Sequence, residues 1–271
     1  MIMLQMFKIR TFQPKSTAMN NIKVFESVSE FRHFRKNLSG TVGFVPTMGA
    51  LHEGHATLLR RSVSENKNSI LSIYVNPTQF NNPADLEKYP KTFEADLKLA
   101  ADCGIAAILS PSFSEMYSDN YRFKISENEF SKILCGAHRP GHFDGVLTIV
   151  FKFLNIVAAD NAYFGEKDFQ QYQLIKDMCH SFFVKCNIVS EKTVREKSGL
   201  AMSSRNKRLS THAFEKAALM YQLLKSKDTV ADIKRKLTAE GFEIDYVEEI
   251  KNRRFVAAAL EGIRLIDNVE L

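Results

Sequence analysis

The sequence predicts an α/β protein, a parallel sheet covered by helices on both faces, followed by a small C-terminal α+β domain. Three observations carry that prediction. From residue 41 onward, short apolar runs rich in β-branched residues alternate with amphipathic stretches, which is the signature of strand–helix–strand units. Polar loops containing Gly, Asn and Pro follow several of the apolar runs. Beyond about residue 193 the alternation stops, and three strand-like runs succeed one another without a helix between them.

Taken in order, TVGFVP (41–46) reads as a buried strand and HEGHATLLRRSVSENK (52–67) as the helix after it. SILSIYV (69–75) is the next strand, and NPTQFNNPADLEKYPKT (76–92) a turn-rich polar loop. FEADLKLAADCG (93–104) has helical spacing and a glycine stop, and IAAILS (105–110) is again a strand. VLTIVFKFLNIVAA (146–159) is interrupted by Lys152 and Asn155 and falls short of the roughly 20 apolar residues of a membrane span. It reads as a largely buried helix over 144–159. AYFG (162–165) is a short strand, DFQQYQLIKDMCHSFF (168–183) a helix, and VKCNIV (184–189) closes this half. Then STHAFEKAALMYQLLKS (210–226) and TVADIKRKLTAEG (229–241) read as helices, and FEIDYVEEI, RRFVAAALE and IRLIDNVEL as strands.

The expected organisation is a leader over 1–19, a nucleotide-binding domain over 20–193 and an α+β domain over 194–271. The leader lacks the h-region and cleavage site of a secretory signal; it is read as disordered or vector-derived, with the true start near Met19. The 271 residues suffice for one large or two modest cores, and 45% hydrophobic with 25% charged residues is ordinary for a soluble protein. Cys103, Cys135, Cys179 and Cys186 show no tight pairing, which favours reduced thiols in a cytoplasmic setting over disulfides or a zinc site. The net charge of +6 is concentrated. Lys185, Lys192, Arg195, Lys197, Arg205, Lys207 and Arg208 face only Glu191 and Glu196 between residues 185 and 210. Such a stretch suits a polyphosphate, a nucleic-acid backbone or a merely solvated face.

In parallel sheets, ligands bind beyond the carboxyl ends of the strands, and three motif-bearing loops fall there. The first, PTMGALHEGH (46–55), places His52 and His55 three residues apart at a helix start, where free N–H groups and the dipole favour an anion. Phosphate contact, helix capping and metal binding all remain open for this pair. Gly49 and Gly54 favour the first by allowing close backbone approach. In GEKDFQQYQLI, Lys167 can neutralise phosphate charge and Asp168 can accept from ribose hydroxyls, or both simply decorate a helix start. Gln171 shares a face with Asp168. In GLAMSSRNKRLS, Ser203, Ser204 and Arg205 suit a polyphosphate, although a plain surface loop fits as well. Asn76, Gln79 and Tyr89 stand in the 76–92 loop, where amides suit hydroxyl recognition and turn formation alike.

PTMGALHEGH, VNPTQF, YPKT, RPGHFDGV, YFGEKDFQQ and GLAMSSRN, in this order from about Lys23 to the C-terminus, resemble the pantoate–β-alanine ligase family. The resemblance implies a Rossmann-like nucleotidyltransferase fold, with His52–His55 as its HxGH motif. MSSRN (202–206) then stands where class I aminoacyl-tRNA synthetases carry the KMSKS loop. It further implies that pantoate attacks the α-phosphorus of ATP, giving pantoyl adenylate and pyrophosphate, and that β-alanine then displaces AMP. Residue by residue, it puts His52, His55, Lys167, Ser203, Ser204 and Arg205 on the phosphates. Gly165 and Asp168 fall at the ribose and Met202 near the adenine, with Pro46, Thr47, Met48 and Gly54 also on the nucleotide. Gln79 and Gln171 would hold pantoate beside the Met48 backbone, with Asn76 and Tyr89 lining or closing the pocket. Mg2+ is expected on the nucleotide phosphates and not in a protein cage, with Asp96 as a candidate for orienting it. A cytoplasmic homodimer is implied, with no nucleic-acid or membrane partner.

Two departures stand out. Thr78 occupies a position where methionine is common, and the C-terminal domain looks short between DYVEEI and RRFVAAAL. His142, although part of a motif, reads as structural. Two alternatives stand beside this reading. A nucleotidyltransferase with another substrate would keep the histidines and Lys167 but not both glutamines. A basic RNA-binding module is favoured only by the charge cluster and lacks an exposed aromatic pattern.

Overall fold

The computed structural model describes residues 22–271; the leader read over 1–19 lies outside them. In chain order the strands are β1 Lys23–Phe25, β2 Val42–Thr47, β3 Asn68–Ile73, β4 Ala107–Leu109, β5 Asn161–Gly165, β6 Asn187–Glu191, β7 Glu243–Ile250, β8 Arg253–Leu260 and β9 Ile263–Glu270. The helices are α1 Val28–Lys36, α2 Glu53–Glu65, α3 Pro83–Glu87, α4 Phe93–Asp102, α5 Phe113–Met116, α6 Cys135–His138, α7 His142–Val157, α8 Phe169–Ser181, α9 Thr211–Ala217, α10 Leu219–Leu224 and α11 Val230–Ala239.

The first six strands form one sheet in the order β1-β4-β3-β2-β5-β6, parallel throughout. Its central strands are continuous apolar runs because both faces are covered. Phe44 packs on the side of α7, Val45 on the side of α2 and α4. α7 is buried along most of its length, with Lys152 and Asn155 on its less buried side. Among the described residues no helix is long and apolar enough to cross a membrane.

The last three strands form a separate antiparallel sheet, β7-β8-β9. Side chains of β8 alternate between two cores. Phe255 and Ala257 join the cluster around α7 and α8, while Val256 and Ala258 face α9 to α11. This explains why FVAAAL shows no polar alternation: the strand is sandwiched. The short C-terminal segment is a tight hairpin, with Lys251 and Asn252 both at positive φ between β7 and β8, the geometry of a type I′ turn. β1 and α1 precede the region where strand–helix alternation was read.

The connection from β2 runs to β3 on one side of the sheet, and that from β5 runs to β6 on the other. The adjacent carboxyl ends of β2 and β5 therefore form the switch point at which open α/β sheets bind ligands.

Candidate functional site

Thr47 ends β2 and turns the chain by donating its hydroxyl to Ser72 O at 2.7 Å while accepting from Gly49 N at 3.2 Å. Asp96, at the start of α4, then holds the loop. Its two oxygens accept from Ala50 N at 2.9 Å and Leu51 N at 2.8 Å, and Oδ1 also takes the Thr92 hydroxyl at 3.1 Å. Asp96 is buried, and these bonds use the carboxylate on the loop. In this structure its contacts are those of a residue that shapes the His52 turn.

His52 is the N-cap residue of α2, with extended backbone. His55, one turn on, accepts the His52 N–H on Nδ1 at 3.3 Å, and the two rings lie 4.1 Å apart. With Nδ1 an acceptor, the His55 proton sits on Nε2. His52 Nδ1 is buried without a partner among the described residues. Gly54 was read as thinning the backbone for a ligand; a Cβ there would instead meet the His52 ring at 3.0 Å, so glycine makes room for the imidazole. Glu53 points away and pairs with Arg60.

Burial and, secondarily, Lys167 hold His52 down at about 4. Burial, then His52 and Lys167, hold His55 at about 3. Both are neutral near pH 7 and offer N–H donors, not charge. His142 is likewise held at about 3 by burial and Arg139. The ordinary value is 6.5 for each, so below it the unfolded chain takes up protons that the folded chain refuses. Their stabilisation is complete above pH 6.5 and is lost as pH falls toward 3. Urea midpoints should therefore drop between pH 7 and pH 5, and His142→Gln should flatten that slope. An unchanged slope would place the buried, uncharged imidazole elsewhere.

Across the crevice, Lys167 and Asp168 lie in the turn Glu166–Asp168 between β5 and α8, with Lys167 Nζ 3.5 Å from Asp168 Oδ2. This turn is held from the second sheet: Asn268 on β9 donates to Glu166 O at 2.9 Å and Lys167 O at 3.0 Å. Neighbouring Asp267 receives Arg195 at 2.6 and 2.9 Å, and that guanidinium stacks 3.6 Å over Tyr221. The sequence offered no sign of the Asn268 tether, which links residues about a hundred positions apart.

The Ser203–Arg208 segment closes the third side. Ser203 caps the short turn Ser204–Arg208 by accepting from Arg205 N at 3.3 Å. Tyr89 is buried behind it and lines the same cleft as Ser203 and Ser204. Arg205 and Arg208 both grip Asp85 of α3, at 3.0 and 2.8 Å. Three of the seven basic residues of the 185–210 stretch are thus paired with carboxylates, Arg195 with Asp267 and Arg205 and Arg208 with Asp85.

Pro46, Thr47, Met48, His52, Gly54, His55, Tyr89, Gly165, Lys167, Asp168, Gln171, Met202, Ser203, Ser204 and Arg205 all line one cleft of about 210 Å3. Two expected residues do not. Gln79 lies beside the wall, its Nε2 3.1 Å from Met48 Sδ. Asn76 is buried, donating to Gln79 Oε1 at 3.1 Å and Gly145 O at 3.2 Å while Tyr117 and Thr78 hydroxyls donate to its Oδ1. Asn76 has no group left for a substrate, so its part is to aim Gln79. Thr78 joins this network in place of a methionine that could not. His142 is structural, as read: Nδ1 donates to Gln79 O at 2.8 Å, and Nε2 faces Arg139 Nη1 at 3.0 Å. Among the described residues no three His, Cys, Asp or Glu side chains come together as a metal cage.

Gly145, on α7, went unnoticed as a site determinant. A Cβ there would lie 2.5 Å from Thr78 O and 2.8 Å from Gln79 N, both backbone atoms. Gly145→Ala is expected to cost about 1–3 kcal/mol through overpacking and to displace Gln79. A lowered denaturation midpoint at constant m would register it.

The family model for pantoate-beta-alanine ligase matches residues 23–270. A pantothenate synthetase from Bdellovibrio bacteriovorus is 53% identical over 249 residues, which cover 92% of this chain and 99% of the relative. One from Legionella pneumophila is 46% identical, covering 91% and 99%. Among solved structures, the pantoate-beta-alanine ligase from Francisella tularensis, complexed with beta-gamma ATP and beta-alanine, matches with a TM-score of 0.88 at 39% identity, covering 92% of this chain and 97% of that one. The pantothenate synthetase from Thermus thermophilus matches with a TM-score of 0.85 at 34% identity, covering 92% and 99%. With both sequence and fold shared along nearly the whole described length, the chain belongs to the pantoate–β-alanine ligase family and is an enzyme of pantothenate biosynthesis.

Proposed function

We propose that the enzyme joins pantoate to β-alanine in two steps in the cleft between β2 and β5, with ATP as the activating substrate. The observation that carries this reading is the convergence of the HxGH, EKD and SSR segments on one wall-to-wall cleft. Support also comes from the Francisella tularensis ligase, which is complexed with beta-gamma ATP and beta-alanine.

In the first step a pantoate carboxylate oxygen bonds to the α-phosphorus of ATP, the bond to the bridging oxygen breaks, and pyrophosphate leaves. Negative charge grows on the α-phosphoryl and on the departing pyrophosphate. Fixed donors aimed at those oxygens are what lowers such a barrier. His52 and His55 supply neutral N–H donors, Lys167 a charge, and Ser203, Ser204 and Arg205 close over the β- and γ-phosphates. Gly165 and Asp168 take the ribose, and Met202 the adenine. Gln79 and Gln171 hold pantoate, with the Met48 backbone near its carboxylate and Tyr89 closing the pocket. In the second step the neutral amine of β-alanine bonds to the acyl carbon, the bond to the phosphate oxygen breaks, AMP leaves, and the nitrogen gives up a proton.

Magnesium would be held by the nucleotide phosphates, on the far side of a loop that Asp96 holds through the Ala50 and Leu51 amides. It would neutralise phosphate charge there. Residues 194–271 act as a lid domain on the 20–193 domain, and the working form is a cytoplasmic homodimer. Pantoate-dependent exchange of labelled pyrophosphate into ATP, without β-alanine, tests the first step; absence of exchange by active enzyme would refute the adenylate.

Arg205 lines the cleft while its Nη2 donates to Asp85 Oδ2 at 3.0 Å, so Asp85 competes with the phosphates for its charge. Asp85→Asn should therefore lower the KM for ATP by about two- to fivefold, the worth of a partly exposed ion pair. ATP titration at saturating pantoate reads this directly, and a raised KM would make Asp85 an ally of nucleotide binding.

A further inference from the structure

Asn268 does not line the nucleotide cleft, yet its bonds are spent on a residue that does. In register it stands opposite Phe255 of β8, which joins the core around α7 and α8, so its side chain faces the first sheet. It is only 4% exposed. Nδ2 donates to Glu166 O at 2.9 Å and to Lys167 O at 3.0 Å, while Oδ1 accepts from Arg253 Nη1 at 2.6 Å. Both N–H groups of the amide are thus used on two consecutive carbonyls. Arg253 decides which end of the amide faces them, and its own guanidinium is stacked 3.9 Å over Phe169, the first residue of α8.

Those two bonds determine where the Lys167 side chain goes. The Glu166 carbonyl belongs to the peptide before Lys167, and the Lys167 carbonyl to the peptide after it. Each peptide is planar, so holding both carbonyls on one nitrogen fixes the two planes that meet at the Lys167 Cα. The direction in which the mostly buried side chain leaves the backbone is fixed with them. The preceding residue of β9 serves another wall of the cleft. Asp267 holds Arg195, whose Nη1 also donates to Gly199 O at 3.1 Å, in the segment that leads to Met202 and Ser203. Consecutive positions of one strand therefore anchor two of the segments that line the cleft.

We propose that Asn268 is a positioning residue for adenylation: from the second sheet it aims the Lys167 ammonium at the phosphoryl oxygens. The second sheet then contributes to the rate and not to the fold alone. This rests on the two-step reading above.

The test is a double-mutant cycle with Lys167. Asn268→Asp keeps the shape and the Arg253 contact but presents an oxygen where Nδ2 donates. It should slow single-turnover pyrophosphate release by about ten- to a hundredfold, the usual loss for a reacting group displaced by about 1 Å. In a Lys167→Met background the same substitution should cost about twofold or less, because the group it aims is gone. Equal losses in the two backgrounds would make Asn268 a structural tether alone and overturn the proposal. Normal pyrophosphate release by Lys167→Met would overturn it too, since Asn268 would have nothing to aim. Should Asn268→Asp fail to fold, Arg253→Met takes its place, freeing the amide to turn over while leaving an apolar chain on Phe169. The same dependence on Lys167 is expected of it, and equal losses again overturn the proposal. Pantoate-dependent pyrophosphate exchange by the unaltered enzyme reports separately on the adenylate. Its absence would refute the two-step reading, and the cycle, read then on pantothenate formed, would still decide whether Asn268 acts through Lys167.

Discussion

Replacing His55 by alanine should slow pantoate-dependent adenylation by about a hundred- to a thousandfold, the usual loss for one preorganised donor to a charge-developing oxygen. His55 Nδ1 is occupied by the His52 N–H, which leaves Nε2–H as the group that can face the cleft. The alanine variant also removes the acceptor for His52 N–H, so His55→Asn is the proper companion: its side-chain oxygen can replace that acceptor without restoring the distant donor. Both variants should fold, and both should lose activity in single-turnover AMP or pyrophosphate assays. Near-normal adenylation by His55→Asn would reduce His55 to a helix-capping role.

Lys167→Met should have an effect of similar size, on the order of a hundredfold or more, through a different cause. His52 and His55 are neutral, so Lys167 brings positive charge to the cleft wall opposite them. Its backbone carbonyl stays tied to Asn268 whatever the side chain, so the fold should tolerate the change. The loss should appear in the adenylation rate more than in stability, measured by single-turnover kinetics alongside thermal unfolding. A variant that adenylates normally would show that Arg205 and the bound cation carry the charge without it.

The parallel sheet was legible because burial on both faces turns each central strand into a short apolar run that needs no partner information to be recognised. α2, α7 and α8 were legible for the same reason, their apolar faces being long and uninterrupted. β1 and α1 were missed because the segment is sparse in buried residues: Phe31 is the one buried residue of α1, too little for a periodicity to register. The HxGH, EKD and SSR segments were found, since each is a local string at a strand or helix end. What locates them was not. Asp96 reaches the Ala50–Leu51 backbone across 45 residues, Asp85 reaches Arg205 across 120, and Asn268 reaches Lys167 across 101. Local pattern carries no record of such pairings. The loop-holding bonds of Asp96 were accordingly not foreseen, and the basic cluster looked more available than Asp85 and Asp267 leave it. Gly145 escaped for a related reason: its need for a missing Cβ lies in the turn at Pro77–Gln79, which packs on α7.

The most direct test of the account follows oxygen. Pantoate labelled with 18O in its carboxylate, incubated with the enzyme, ATP, magnesium and β-alanine, should deliver one labelled oxygen into the AMP produced. That oxygen is the one that bonds to the α-phosphorus and stays with it when the amine takes the acyl group. Label found in orthophosphate with ADP as co-product, or AMP free of label, would contradict the adenylate and with it the assignment of His52, His55 and Lys167 to the phosphoryl oxygens.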